Sequence, residues 1–558
     1  MLIQACYGDS MRARIVWAIA FFTLVAIVNS FPLILHPGTS IGQHGDSYFS
    51  VWRLAWVAHQ LRADPWHLFD GNIFHPNRDT LAYSDAMLLP AIVLAPFNWM
   101  GISPLVIYNL TLLAAFAASA VAAFLLVREL TGSTPAALLG GMIFAFSAHR
   151  LEHFDHLELQ FAFWIPLAVL CWHHAVTRDR GYLIVGLLAA GQILSSIYHG
   201  IFFAAWLAVA TSLWFVRTPL RALRATVLIL WLPLVTLAVY SLPYMKSRAE
   251  VGDRPMSDVV GYSASPMDFL SAPANNVLYG WTDGLGTNER HLFPGIVATL
   301  LLVVGLWPPL DRMRAVHAAA LAFALLLTLG VNGPIYGLLY DWVLPFRGLR
   351  VPARADILVL LGTSVLAGFG LARLMRAMTS QRVAAMAAAA AVTLASVECL
   401  ARPTLIAANP TASVWYAWLQ TVPDAVVFEW PVTVPWRLYD MRDVRYMYRS
   451  TLHWRPMLNG YSGHYPDSYV KLLYTMRDFP YTPALTDLRR RGATVLILHD
   501  VDGSRPSYVQ AVERLVRDPS IRVIAEDMDA GRRVIFLRLL PAGVNSASSA
   551  IAPPPARQ

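Results

Sequence analysis

Residues 104–127, PLVIYNLTLLAAFAASAVAAFLLV, run without a single charged side chain, and runs of this kind recur through the first 400 positions. A hydrocarbon layer about 30 Å thick needs roughly 20 such residues in a helix. Inside it every backbone N–H and C=O has to be satisfied within the protein, which leaves helices and closed barrels. The apolar runs lie near 15–35, 104–127, 135–149, 159–176, 181–198, 200–216, 225–245, 293–310, 315–332, 355–374 and 384–400. The sequence therefore predicts an α-helical polytopic membrane protein with about eleven transmembrane helices.

Composition agrees, with 56% hydrophobic and 14% charged residues and a mean hydropathy of +0.49, whereas soluble domains carry about 25% charge. The formal net charge of +8 does not point to nucleic acid, because the basic residues sit in short clusters between apolar runs. With the N-terminus inside, the inner loops hold Arg128, Arg178 with Arg180, Arg217 with Arg221 and Arg224, Arg312 with Arg314, and Arg373 through Arg382. Each is basic, as the positive-inside rule requires. The first run follows Arg12 and Arg14, is long, and lacks a small-residue cleavage signal, so it reads as a retained signal anchor. Cys6, Cys171 and Cys399 match no metal or redox spacing. The segment 86–100, AMLLPAIVLAPFNWM, is short and broken by Pro90 and Pro96, and reads as a re-entrant or interfacial element.

This gives an inner N-terminus (1–14) and a transmembrane body (15–400) with outer loops 36–103, 150–158, 246–292 and 333–354. From residue 401 the pattern changes to alternation. VVFEW (426–430), ATVLILH (493–499) and RRVIFLRL (532–539) read as strands, and 467–479, 485–492 and 507–518 as helices. A small α/β domain over 401–541 on the outer side follows, and the Pro/Ser/Ala-rich 542–558 reads as a disordered tail.

Four outer segments carry the candidate chemistry. In SIGQHGDSYFSVWRLAW (40–56), Asp46 follows Gly45, which lets a backbone approach a ligand closely, and precedes residues that suit a helix along the membrane interface. Asp85 lies further along the same loop as an accessory acid. In SAHRLEHFDHLELQ (147–160), a helical conformation would put Glu152 with His156, and His149 with His153, on shared faces. Glu152, His153, Asp155, His156 and Glu158 then read either as a divalent-ion site or as a hydrogen-bonded cap between two helices. In PFRGLRVPARADILVLL (345–361), Arg347, Arg350 and Arg354 precede an apolar helix on the side where positive charge is disfavoured. They read as a phosphate-binding set, or as residues snorkelling to ordinary headgroups. Glu289, in GTNERHLFPG (286–295), is a further accessory acid. The aromatics of 446–469 read either as a sugar-stacking surface or as packing of the outer domain.

A first helix, an outer loop opening with an acid in HGDSYFSVW, a second acidic loop in EHFDHLE, a multi-span body and an outer α/β domain together resemble the GT-C glycosyltransferases. These are integral membrane enzymes that take polyprenyl-phosphate-linked sugars as donors. The chain looks most like bacterial members related to the lipopolysaccharide-core galacturonosyl, the arabinose and the protein-mannosyl transferases, over residues 10–400. The resemblance implies that Asp46 acts as general base on the acceptor hydroxyl or helps bind a metal. It implies that Asp155, with Glu152 or Glu158, forms the second-loop acids, and that Arg350 and Arg354 hold the donor phosphate. Here the second-loop acids are interleaved with histidines, a departure from the usual pair.

The expected reaction is inverting sugar transfer to an envelope glycan, lipid or protein at the outer face of a bacterial inner membrane. The N-terminus would be cytoplasmic, the C-terminal domain periplasmic, and a divalent magnesium or manganese ion the one cofactor. A transporter or flippase for a lipid-linked sugar is the alternative, as is a non-catalytic envelope-assembly protein. The absence of clear repeats and the gathering of acids at one face favour the enzyme.

Overall fold

The computed structural model describes residues 9–252, 255–408, 412–434, 440–501 and 505–540. The tail read as disordered, 542–558, lies outside the described residues, as do positions 1–8. Each predicted apolar run coincides with a helix: Asp9–Ser30, Pro104–Thr131, Thr134–Phe146, Trp164–Arg178, Tyr182–Ser195, Ile197–Trp214, Pro219–Tyr240, Ile296–Leu306, Arg312–Thr328, Asp356–Ala377 and Gln381–Glu398. Six segments among the described residues are long and apolar enough to cross a membrane: Arg12–Ser30, Pro104–Thr131, Leu157–Arg178, Ile197–Trp214, Pro219–Tyr240 and Pro352–Ala377. The chain is a multi-pass, mainly helical membrane protein. Other apolar helices, such as Thr134–Phe146 and Ile296–Leu306, are shorter. Leu88–Trp99, in the ambiguous segment, has 12 residues with Pro96 inside, about 18 Å of helix and less than a hydrocarbon core.

Two compact units divide the chain. The first comprises Met1–Pro37, Asn109–Ser241 and Asp253–Leu405. Its central helix, Asp356–Ala377, is buried along most of its length and packs against Thr134–Phe146, Ile296–Leu306 and Arg312–Thr328. Gly305 and Gly370 make the tightest crossing, since a Cβ on either would collide with a backbone carbonyl of the other helix, Leu366 or Leu301. Helix starts follow local capping chemistry: Asp311 accepts from the Arg314 amide at 2.9 Å and Ser133 from the Ala136 amide at 3.4 Å.

The second unit comprises Gly38–Tyr108, Leu242–Gly252 and Ile406–Gln558. The outer loop read as 36–103 thus packs with the carboxy-terminal segment. Helix Gly45–Ala63 is the reason, because Tyr48 packs on Tyr448, Phe49 on Tyr461 and Trp56 on Trp454. The backbone continues the join, with the amides of Phe74 and His75 donating to the carbonyls of Asn459 and Met457 at 3.1 and 2.8 Å. The expectation of an interfacial helix here is corrected. Ser47 through Ala58 are buried, and the buried Arg53 donates to the Asp85 carbonyl and to Ser50 Oγ at 2.8 Å. Tyr446, Tyr461 and Tyr469 are also buried, so these aromatics of 446–469 act as packing.

The unit's four-stranded sheet holds β1 (Val427–Trp430), β2 (Val495–His499), β3 (Ile521–Asp529) and β4 (Arg532–Leu539) in the order β1-β2-β4-β3. β1 and β2 are parallel, with Val427 opposite Val495, and the other pairs antiparallel, with Val495 opposite Arg538. Tyr416, Leu419, Val427, Val495, Ile497, Val534 and Phe536 form its core. The sequence reading located β1, β2, β4 and the flanking helices but not β3 or helix Met441–Ser450. Both are half-polar, and β3 lies at the sheet edge with alternate residues exposed.

Candidate functional site

In the first unit, the segment after helix Thr134–Phe146 turns back on itself through Arg150. Ser147 caps a short helix, Ala148–Glu152. The buried Arg150 guanidinium donates to the carbonyls of Leu159 and Gln160 at 3.1 and 3.3 Å. Gln160 Nε2 in turn donates to the His153 carbonyl at 2.5 Å. The helix stops at Glu152, with His153 as its C-cap, so the expected shared face of Glu152 and His156 does not form. His149 and His153 do meet, with ring centroids 4.4 Å apart.

Around this turn the structure gathers residues from three distant stretches. Glu289 accepts a two-bond fork from Arg354, through Nε at 2.9 Å and through Nη2, and is 2.8 Å from His153 Nε2. Glu289 sits at φ +73°, in the left-handed region where a non-glycine residue is strained. Burial alone would raise its carboxyl, but Arg354 and His153 outweigh burial and hold it well below the usual carboxylate range. His291 Nδ1 lies 2.5 Å from Glu152 Oε1. Burial alone would depress this imidazole, yet the Glu152 hydrogen bond and charge raise it above the ordinary histidine value. The loop carrying Glu289 and His291 is tied down by the Leu292 amide to the Asp268 carbonyl at 2.9 Å and by Arg290 Nη1 to the Ser263 carbonyl at 3.2 Å.

Of the sequence-predicted residues, Glu152, His153, Glu289 and Arg354 come together here. Glu158 is buried and within electrostatic reach of Arg354. Asp155 is half-buried on the turn, and the His156 ring centroid is 5.4 Å from that of His153. Arg350 is half-buried over the Tyr262 ring at 5.8 Å, and its amide donates to Tyr198 Oη at 3.0 Å. Arg347 is exposed and donates to the carbonyls of Tyr340 and Asp341 at 3.2 and 2.8 Å.

Sequence reasoning missed Asp356. It is 1% exposed, neither of its oxygens has a hydrogen-bond partner among the described residues, and it faces His153 electrostatically. An acid opening an apolar helix is the signal that could have found it.

His149, Glu152 and His153 each offer one ligand atom within 4.8 Å of the others. His149 Nδ1 and Glu152 Oε2 are buried without a hydrogen-bond partner among the described residues. Two imidazoles and a carboxylate fit a divalent transition ion better than magnesium, which takes oxygen ligands.

In the second unit, Asp46 opens helix Gly45–Ala63, where a carboxylate complements the helix dipole. His44 Nδ1 is 3.2 Å from both the Asp46 amide and Oδ2. A neutral ring accepts from the amide, and a protonated one pairs with the carboxylate. Tyr461 Oη donates to Oδ1 at 3.3 Å. The Asp46 side chain stays 22% exposed to solvent. Asp85 has a structural place here: its Oδ1 accepts from the Met87 amide at 3.2 Å and its carbonyl from Arg53.

The signature of a family described as a domain of unknown function, DUF6311, matches residues 15–333. The chain belongs to the DUF6311 family. The DUF6311 region takes in Asp46, the turn at 147–160, Glu289 and His291, and ends before Arg347, Arg350, Arg354 and the four-stranded sheet. Among curated proteins no sequence matches.

Among solved structures, the archaeal oligosaccharyltransferase AglB from Archaeoglobus fulgidus, in complex with an inhibitory peptide and a dolichol-phosphate, is similar at 12% identity and TM-score 0.47. That likeness covers 88% of this chain and 70% of that one. ArnT from Cupriavidus metallidurans bound to undecaprenyl phosphate is similar at 11% identity and TM-score 0.45, covering 95% and 98%. Its apo state gives 14% identity and TM-score 0.40 over the same shares. These are distant likenesses.

Proposed function

We propose that this protein is a membrane glycosyltransferase that moves a sugar from a polyprenyl-phosphate donor to a cell-envelope acceptor, at the outer face of a bacterial inner membrane. The observation that carries this reading is Asp46: a carboxylate at a helix N-terminus, oriented by His44 and Tyr461 and still open to solvent. The sequence resemblance described above and the multi-pass helical body support it.

In the proposed reaction the acceptor hydroxyl attacks the anomeric carbon while Asp46 takes its proton. The bond from that carbon to the phosphate oxygen breaks, and polyprenyl phosphate leaves with its electron pair, inverting the centre. Aspartate is a weak base, so proton transfer accompanies bond formation instead of preceding it. Arg347 and Arg350 are the residues whose guanidinium groups would suit the donor phosphate oxygens. A divalent ion on His149, Glu152 and His153 would neutralise charge on the leaving phosphate.

The test is release of polyprenyl phosphate from a panel of polyprenyl-phosphate sugars by purified wild type and Asp46→Asn. Release that disappears in the folded variant supports the transferase. Equal release from both removes Asp46 from the reaction, whereas tight lipid binding without release would favour a transporter.

A further inference from the structure

Helices Pro104–Thr131 and Trp164–Arg178 both end beside a second group of metal-capable side chains, in the sequences VREL (127–130) and CWHHAVTR (171–178). Glu129, His173 and His174 each offer a ligand atom, and these atoms lie within 4.8 Å of one another. This group is remote from the turn at 147–160, because helix Thr134–Phe146 begins just after Thr131 and carries the chain away to that turn. It shares its end of the unit with Arg128, Arg178 and Arg180, the side read as cytoplasmic from the loop charges.

We propose that Glu129, His173 and His174 form a three-ligand transition-metal site, best suited to zinc, that ties the ends of these two helices together.

His174 Nε2 lies 3.4 Å from Glu129 Oε1. Tetrahedral zinc with ligand bonds near 2.0–2.1 Å separates neighbouring donor atoms by about 3.3 Å, so these two already stand at a ligand-to-ligand spacing. Imidazole and carboxylate are the zinc donors, and three protein ligands leave a fourth position for water. His174 and Glu129 are each about one-third exposed, which gives an ion an entry path.

A second observation is independent of this trio. Beneath His173 lies His317, 1% exposed on helix Arg312–Thr328, with neither ring nitrogen hydrogen-bonded among the described residues. It packs edge-on to Trp172 at 6.3 Å and interacts electrostatically with His173, whose own Nδ1 is buried with no hydrogen-bond partner among the described residues. A metal on the other nitrogen of His173 would fix Nδ1 as an N–H donor, which a neutral imidazole nitrogen such as that of His317 can accept. Arg178 also lies within electrostatic reach of His173. Its charge disfavours a cation there and sets the site's affinity below that of an all-neutral surround.

The experiment uses the full chain in detergent, with any affinity tag removed and metal stripped by chelator. Cobalt chloride is titrated while the ligand-field absorbance is recorded, and zinc retained after gel filtration is counted. The proteins are wild type, Glu129→Gln, His174→Gln and, for the other histidine cluster, Glu152→Gln. Glu129 and His174 are partly exposed, so their variants keep the fold, and near-wild-type thermal unfolding without metal confirms it. The expected result is a weakening of about tenfold or more in Glu129→Gln and His174→Gln, with one fewer zinc per chain, while Glu152→Gln retains this component. Identical cobalt spectra and zinc content in wild type, Glu129→Gln and His174→Gln overturn the proposal. So does a signal lost only in Glu152→Gln.

Discussion

Arg354 and Glu289 are joined by a two-bond fork between residues 65 positions apart, with His153 on the same carboxylate. Arg354 is buried, and Glu289 is the carboxylate it hydrogen-bonds, with Glu158 adding a weaker electrostatic contribution. Glu289→Gln should therefore cost about 3 kcal/mol at neutral pH, the lower end of what breaking a buried pair removes. Because Glu289 is held well below the usual carboxylate range, its stabilisation is present above that range and is lost as pH falls through the depressed value. Thermal unfolding in detergent should show the variant well below wild type at pH 7, and the gap narrowing only in strong acid. Adding Arg354→Met should restore part of the loss, since the guanidinium that lost its hydrogen-bonded carboxylate is then gone. A double variant worse than either single change would contradict the pair as described.

Gly45 precedes the proposed base, and a Cβ there would stand 2.7 Å from Tyr461 Oη and 2.8 Å from its Cζ. Gly45→Ala should destabilise by about 1–3 kcal/mol through overpacking, and displace the phenol that orients Asp46. Tyr461→Ala opens that space. A double-mutant cycle should show the two changes coupling favourably, measured as thermal midpoints and as transfer activity. Simple additivity would mean that the ring moves aside freely.

The helices were legible because period and length are written locally: eleven apolar runs became eleven helices. Asp46, Glu152, Glu289 and Arg354 could be picked out as odd charges beside apolar segments. Their pairings could not, because His153 to Glu289 spans 136 positions and His291 to Glu152 spans 139. No local periodicity encodes such pairings. The same holds for residues 38–108, whose joining to the carboxy-terminal segment depends on Tyr48, Phe49 and Trp56 finding aromatics some 400 positions away. β3 escaped notice for a different reason, since an exposed edge strand needs little apolar alternation.

The crossing of Ile296–Leu306 with Asp356–Ala377 depends on two glycines, each facing a carbonyl of the other helix. Close backbone approach of this kind is what small residues allow in membrane helices. Gly305→Val and Gly370→Val should each force the helices apart, lowering the yield of folded protein and its thermal midpoint. Gly337→Val, where a Cβ meets nothing within 4 Å, is the matched control and should change stability by about 1 kcal/mol at most. Equal behaviour of all three variants would show that the crossing tolerates a side chain.

Asp443, fully buried in the second unit, accepts from Asn459 Nδ2 at 2.9 Å and Tyr469 Oη at 2.8 Å. Burial pushes its carboxyl up to about 6, with the two hydrogen bonds opposing the rise. The unfolded value is near 3.9, so between about pH 4 and 6 the folded protein holds a proton that the unfolded chain has lost. Stability must then fall as pH rises through this window, by about 3 kcal/mol in total, and level off above it. Asp443→Asn removes the titration while keeping a carbonyl acceptor for one of the two donors. The thermal midpoint of the variant relative to wild type should rise steadily from pH 4 to 6 and stay constant beyond. A difference that is flat across the whole range would mean that Asn459 and Tyr469 stabilise the carboxylate enough to cancel its burial.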